Sequence, residues 1–373
     1  MLTIPPFCPQ AECRYHHREN IPPSERSVWY HKDGTYRPKN LNREVQRFVC
    51  THCGKRFSAH TFSLDYGVQK HLSYRRIFDQ LNSGSGIRSL ARNLHVTDKV
   101  IINRVARLAR QALALHALMR KHVCLREAVT ADGFESFTGS QYFPNNIHIA
   151  VGKTSQYLYG LDYAPIRRKG RMTESQKKRR EILEKRWKAP AGDISRSFIR
   201  LIRQIGRYGD KNHLPPVWIY TDEKREYRQV LRSIGWSRHV TIPSSLPRTR
   251  HNELFSVNYY DREFRKDQGN HVRQTVEFSR DVNNMMDRLW MYSAYHNYVK
   301  PFRVGVKGMQ RKTHAEQAGI PPSVVSALWK YFFTQRFFVS HLDLSESEWY
   351  AWYRCYATPL KFHGPWYPRY AAA

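Results

Sequence analysis

Thr130-Ala131-Asp132-Gly133-Phe134-Glu135 and Val217-Trp218-Ile219-Tyr220-Thr221-Asp222 are the stretches on which the fold turns. Each aspartate closes an apolar, β-prone run, and 90 positions separate the two. A carboxylate at a strand end is costly to crowd against another. Two that converge most often hold divalent metal for phosphoryl transfer. Asp before Gly is also an ordinary turn signal, and Asp132-Gly133 taken alone reads as a turn. The flanking pattern shifts the balance toward a site.

Around these stretches the periodicity alternates between strand and helix. Glu127 to Asp132 reads as a strand. Asn146 to Val151 alternates polar and apolar, as a half-buried strand does. Gly152-Lys153-Thr154-Ser155 turns the chain, and Gln156 to Tyr163 returns. Residues 167–188 carry eleven basic and three acidic residues. Thr173 with Gln176 forms a capping box for a helix there, and the run is either a solvated face or a DNA-facing arm. Ile194 to Ile205 is an amphipathic helix, Val217 to Asp222 a strand, Lys224 to Ile234 a helix and His239 to Ile242 a strand. A further helix runs from about Asn258 to Asn270, and another from Val282 to Tyr298. The order βββ-α-β-α-β-α is that of an α/β, RNase H-like catalytic domain. That fold carries one carboxylate on its first strand, one after its fourth and one on its last helix. Asp132 and Asp222 take the first two positions.

Charge names the class of partner. The 373 residues hold 62 Lys+Arg against 31 Asp+Glu, a net charge of +31 spread along the whole length. A polyanion is the first explanation, and nucleic acid precedes membrane. No apolar stretch approaches the roughly 18 residues of a spanning helix, and the N-terminal residues lack a secretory pattern. The expectation is a cytoplasmic, nucleoid-associated protein with no membrane partner.

Four of six cysteines fall in two pairs, Cys8/Cys13 and Cys50/Cys53. Cys50-Thr51-His52-Cys53-Gly54 followed by Lys55-Arg56 has the form of a zinc knuckle, and four thiolates satisfy a closed structural Zn²⁺ site. His16 and His17 are substitutes for one thiolate. Cys124 and Cys355 read as buried small hydrophobes. Next, Ile87, Leu90, Ala91 and Leu94 keep helical spacing, and Thr97 caps a second helix carrying Val100, Ile101, Val105, Leu108 and Ala109. Val68 to Leu81 precedes them as a first helix. Two helices across a short turn read as a helix-turn-helix, with Lys99, Asn103, Arg104 and Arg107 on the DNA side of the second. An ordinary helical hairpin is the alternative.

The cysteine pairs, the helix-turn-helix, Ala131-Asp132-Gly133, Tyr220-Thr221-Asp222 and Asn258-x-x-Asp261-Arg262 together resemble the DDE transposases of bacterial insertion sequences. The resemblance is closest to the group with a zinc ribbon and helix-turn-helix ahead of the catalytic domain. Members commonly carry Asn-x-x-Glu-Arg, the Glu being the third metal ligand; here that position is Asp261. Glu263, about 200° further around the helix, is the alternative, and Glu253 ranks third. The resemblance implies Mg²⁺ (or Mn²⁺) held by Asp132, Asp222 and Asp261, and a structural Zn²⁺ on Cys8, Cys13, Cys50 and Cys53. Arg262 and Arg265 would hold phosphates or form surface ion pairs. It implies cleavage of element ends and their joining to target, on double-stranded DNA and as a homo-oligomer. A transposase-derived regulator and an RNase H-like nuclease or resolvase are the alternatives. The expected division is a zinc-ribbon module at 1–62, a helix-turn-helix domain at 63–122, a catalytic domain at 123–305 with a basic insertion near 166–190, and an aromatic-rich tail at 306–373. Helical core packing is the first reading of that tail, stacking on unpaired DNA the second.

Overall fold

The computed structural model describes residues 4–17, 21–38, 43–208, 216–272, 275, 277–303, 305, 311–340 and 342–361. The tail beyond residue 361 lies outside them. The described chain divides into two compact units, one of residues 4–74 with Leu328–Phe338, the other of Arg75–Ala327 with residues 339–361. Among the described residues no helix is long and apolar enough to cross a membrane.

The first unit is built on an antiparallel sheet of β1 (Tyr30–Tyr36), β2 (Val45–Cys50) and β3 (Arg56–Ser58). Phe48 lies opposite Phe57 in the β2–β3 register. Trp29 stacks on Phe57 at 5.9 Å, and Phe7 meets Phe338 edge-on at 4.8 Å. So small a module buries little surface and relies on aromatic bulk to hold together.

The second unit is mixed α/β. It opens with α1 (Tyr74–Leu81), α2 (Ile87–Asn93) and α3 (Asp98–Arg120). Thr97 occupies the N-cap position of α3, but its side chain makes no capping bond. His95 makes the α2–α3 turn at φ 50°. From Arg104 to Ala117 every residue of α3 is buried, because the helix packs along α8 (Val282–Tyr298). Arg120 closes an ion pair with the buried Glu348 on the short helix Glu346–Trp352.

A five-stranded sheet follows, of β4 (Val129–Thr138), β5 (Ser140–Gly152), β6 (Leu158–Pro165), β7 (Val217–Thr221) and β8 (Ser237–Thr241). Its order is β6-β5-β4-β7-β8. The first three strands form an antiparallel meander, and β7 and β8 run parallel to β4. Between β6 and β7 lie α4 (Glu174–Arg186) and α5 (Asp193–Ile205). The helices α6 (Arg225–Leu231) and α7 (Phe255–Asp267) flank β8 in sequence. Tyr260 and Phe264 of α7 join Phe134, Ile147, Leu289 and Trp290 in the core.

One expectation is corrected here. The strand read as Glu127 to Asp132 does not end at Asp132: β4 runs on for six residues, with Asp132 opposite Ile149 and Gly133 opposite His148. The turn comes at Gly139, at φ 77°. A ladder with β5 along its whole length outweighs the local turn preference. In the tail, Trp329 stacks on the buried Phe332 at 4.6 Å, so these rings pack on one another. Cys124 is exposed and Cys355 half-buried, so neither is the buried hydrophobe expected.

Candidate active site and metal centre

Three carboxylates are positioned by three elements of the second unit. Asp132 stands in β4. Burial pushes its carboxyl up to about 6, and the neighbouring charge of Asp222 adds to the rise. The Gly133 N–H donates to Asp132 Oδ1 at 2.6 Å, and Lys224 and Arg248 also favour the charged form. Asp222 follows the last residue of β7. Its Oδ1 accepts the Lys224 N–H at 3.0 Å, which starts the turn into α6. Asp261 lies on α7. Burial, then the charge of Asp132, holds its carboxyl well above the usual carboxylate range, against Arg265 and Arg248. Its Oδ1 is buried without a hydrogen-bond partner.

For Asp132 and Asp261, burial and a neighbouring carboxylate outweigh the nearby cations, so a bound cation would stabilise their charged forms. Hard oxygen donors with an unsatisfied buried lone pair suit Mg²⁺ or Mn²⁺. Asp132 and Asp222 line a cleft of about 270 Å³ together with Lys224, Arg248, Asn252 and Asn258. Asn258 is one helical turn before Asp261 on α7.

The other candidates lie elsewhere. Glu263 is buried and ion-paired to Lys300, with Lys266 at 3.3 Å. The half-turn between it and Asp261 sends it to this cationic pair. Glu253 pairs with Lys153. Arg265 covers the Phe134 ring at 4.7 Å, within electrostatic reach of Asp261. Arg262 is exposed and lies over Phe255 and Tyr259, each at 5.8 Å.

The expected DNA face of α3 is corrected in part. Lys99 is exposed and Asn103 half-buried, but Arg104 and Arg107 are only 6% and 4% exposed. Both donate to Asn103 Oδ1, at 2.8 and 3.3 Å. Spacing alone carried the helix to Ala109 and put these side chains on its outer face. The helix is 23 residues long and central to its unit.

Sequence reading also missed the cleft cations Lys224 and Arg248, and a buried polar chain behind Asp132. There Asn146 meets His148 at 2.9 Å, and His148 meets Ser197 at 2.9 Å. The i, i+2 spacing of Asn146 and His148 was the available signal. Arg248 lies in an irregular exposed loop that carries no pattern.

In the first unit the Sγ atoms of Cys8, Cys13, Cys50 and Cys53 all lie within 4.8 Å of one another. Cys8 and Cys53 are 3.6 Å apart, Cys13 and Cys50 3.7 Å. Tetrahedral Zn–S bonds of about 2.3 Å place sulphurs about 3.8 Å apart, so the cluster fits a structural Zn²⁺. Gly54, at φ 69°, makes the turn after Cys53, and its N–H donates to the Cys50 carbonyl. Burial pushes the Cys8 and Cys13 thiols up, which a bound cation reverses. His16 is taken by the Cys8 carbonyl at 2.9 Å, whereas His52 Nδ1 lies 3.7 Å from Cys13 Sγ. No protein-family model matches this chain, and no curated protein matches it significantly.

Proposed function

We propose that this chain is a DDE-type transposase, which cuts the ends of a mobile DNA element and joins them to target DNA. The observations that support the reading are that Asp132 feels the charge of Asp222, that Asp261 feels the charge of Asp132, and that Asp132 and Asp222 line one cleft, on a chain of net charge +31. The strand order β6-β5-β4-β7-β8, antiparallel then parallel, supports an RNase H-like catalytic domain. The four-cysteine cluster on a small antiparallel sheet supports a zinc ribbon.

Asp132, Asp222 and Asp261 would hold two Mg²⁺ ions, which supply Lewis-acid stabilisation to an in-line displacement at phosphorus. Lys224 and Arg248 line or face the same cleft and offset the charge of a scissile phosphodiester. Asn258 and Asn252 offer amides to its oxygens. Water as nucleophile opens the strand, and the freed 3′-hydroxyl as nucleophile joins it to target.

The test is a strand-transfer assay with duplexes of the DNA flanking the gene, in Mg²⁺ and in Mn²⁺. Metal-dependent cutting and joining, lost in Asp222→Ala with binding retained, is the expected outcome. Cutting without joining would make the protein a nuclease or resolvase. Binding without cutting would make it a regulator.

A further inference from the structure

The basic run at 167–188 is not used by the site described above. We propose that the outer face of α4 is a docking ridge for the phosphate backbone of duplex DNA, held without regard to base sequence. This rests on the DNA reading above and names a surface that reading does not require.

The ridge is a fixed helix rather than a loose arm. Thr173 and Gln176 close a reciprocal capping box at its start. Leu183 is the buried residue of α4, and Trp187 just past its end packs edge-on to Phe143 at 5.6 Å. Arg167 reaches Glu184 at 2.7 Å, and Arg168 covers the Tyr142 ring at 4.9 Å.

At about 100° per residue, Lys178, Arg179, Lys185 and Arg186 share one sector of α4, opposite Glu184 and to one side of Leu183. All four are exposed, and Ile182, 54% exposed, sits in their midst. Two of the three acids of the run are committed elsewhere, Glu174 to Lys177 and Glu184 to Arg167 and Arg180. Among the described residues the four cations make no ion pair. The third acid, Glu181, is exposed and flanks the sector, three residues from Lys178 and four from Lys185. Four exposed cations against one flanking acid leave a net positive face that attracts an external polyanion.

Length and composition choose among anions. Lys178 to Arg186 spans about 12 Å of helix, and one DNA strand carries a phosphate every 3.4 Å or so of axis. Successive phosphates also wind around that axis, so a straight ridge of this length meets about two of one strand. A helix that lies on a membrane needs a broad apolar face, and this sector offers Ile182 alone.

The experiment compares two double variants of the full chain on a fluorescent duplex of arbitrary sequence across a range of salt. Lys178→Gln/Arg186→Gln removes ridge cations; Lys177→Gln/Arg180→Gln removes the same charge from paired positions. The first should make the slope of log K against log salt shallower by about 1–2, the second by less than about 0.5. Equal changes, or none in the ridge variant, would overturn the proposal. So would loss of binding to anionic phospholipid vesicles in the ridge variant with its duplex slope intact. If the ridge variant binds as the unaltered protein does and cutting persists, this inference alone fails. If the unaltered protein binds no duplex, the transposase reading fails with it.

Discussion

Gly133 and Asn146 occupy one space across the β4–β5 pair. A Cβ on Gly133 would lie 2.1 Å from Asn146 Oδ1. Asn146 is fully buried and held by His148 at 2.9 Å, so it has nowhere to retreat. The glycine beside Asp132 is thus required by packing, not by a turn.

Gly133→Ala should therefore destabilise the protein by about 1–3 kcal/mol, the usual range for overpacking a core. Gly133→Ala/Asn146→Ala should cost less than the sum of the two single changes. Denaturant melts of the four proteins check this. Additive costs would mean that the two side chains do not compete.

Asp261→Asn should abolish metal-dependent cutting, since the amide keeps the shape and loses the charge. It should also blunt the rise in melting temperature on adding Mg²⁺. Glu263→Gln should leave cutting intact and weaken the fold by about 1–3 kcal/mol, because Lys300 loses one of its partners. An Asp261→Asn protein that cuts normally beside a dead Glu263→Gln would reverse the assignment.

Metal analysis should find about one zinc per chain. Cys50→Ser should lose it, and alkylation of the remaining cysteines of the cluster should become fast. The far-UV signal of the second unit should persist. Four thiols that alkylate freely in the unaltered, metal-free-purified and zinc-loaded protein alike would sink the zinc assignment.

Acid should unfold the second unit early. Burial holds His116 at about 4, His271 at about 3 and His314 at about 4, and keeps His148 and His296 well below the ordinary range. Each is neutral when folded and regains an ordinary pKa of about 6.5 when unfolded. The unfolded chain then binds more protons below that value, so stability is full above it and falls as pH drops through 6 and 5. At pH 5 each group costs about 2 kcal/mol, and a few together approach the roughly 5–15 kcal/mol of a typical domain. Melting temperature measured from pH 7.5 to 5 should fall steeply, and less steeply in His271→Asn. A flat profile would contradict the burial of these rings.

Much of this molecule is determined by sequence alone, wherever the signal is local. Period-2 and period-3.6 patterns locate the meander, β7, β8, α5 and α8, and the side chains of Thr173 and Gln176 announce the start of α4. The cysteine pairs carry their own spacing, and Asp222 follows its strand because an apolar run must end somewhere. Tertiary structure decided what depends on distant partners. Pairing with β5 carries β4 through Asp132-Gly133 and moves the turn to Gly139. Packing against α8 makes α3 a central helix and buries Arg104 and Arg107. The rotation of α7 sets Asp261 toward Asp132 and Glu263 toward Lys300. Periodicity says that a helix has faces; only the surfaces it packs against decide which face meets the core, a neighbouring charge or water.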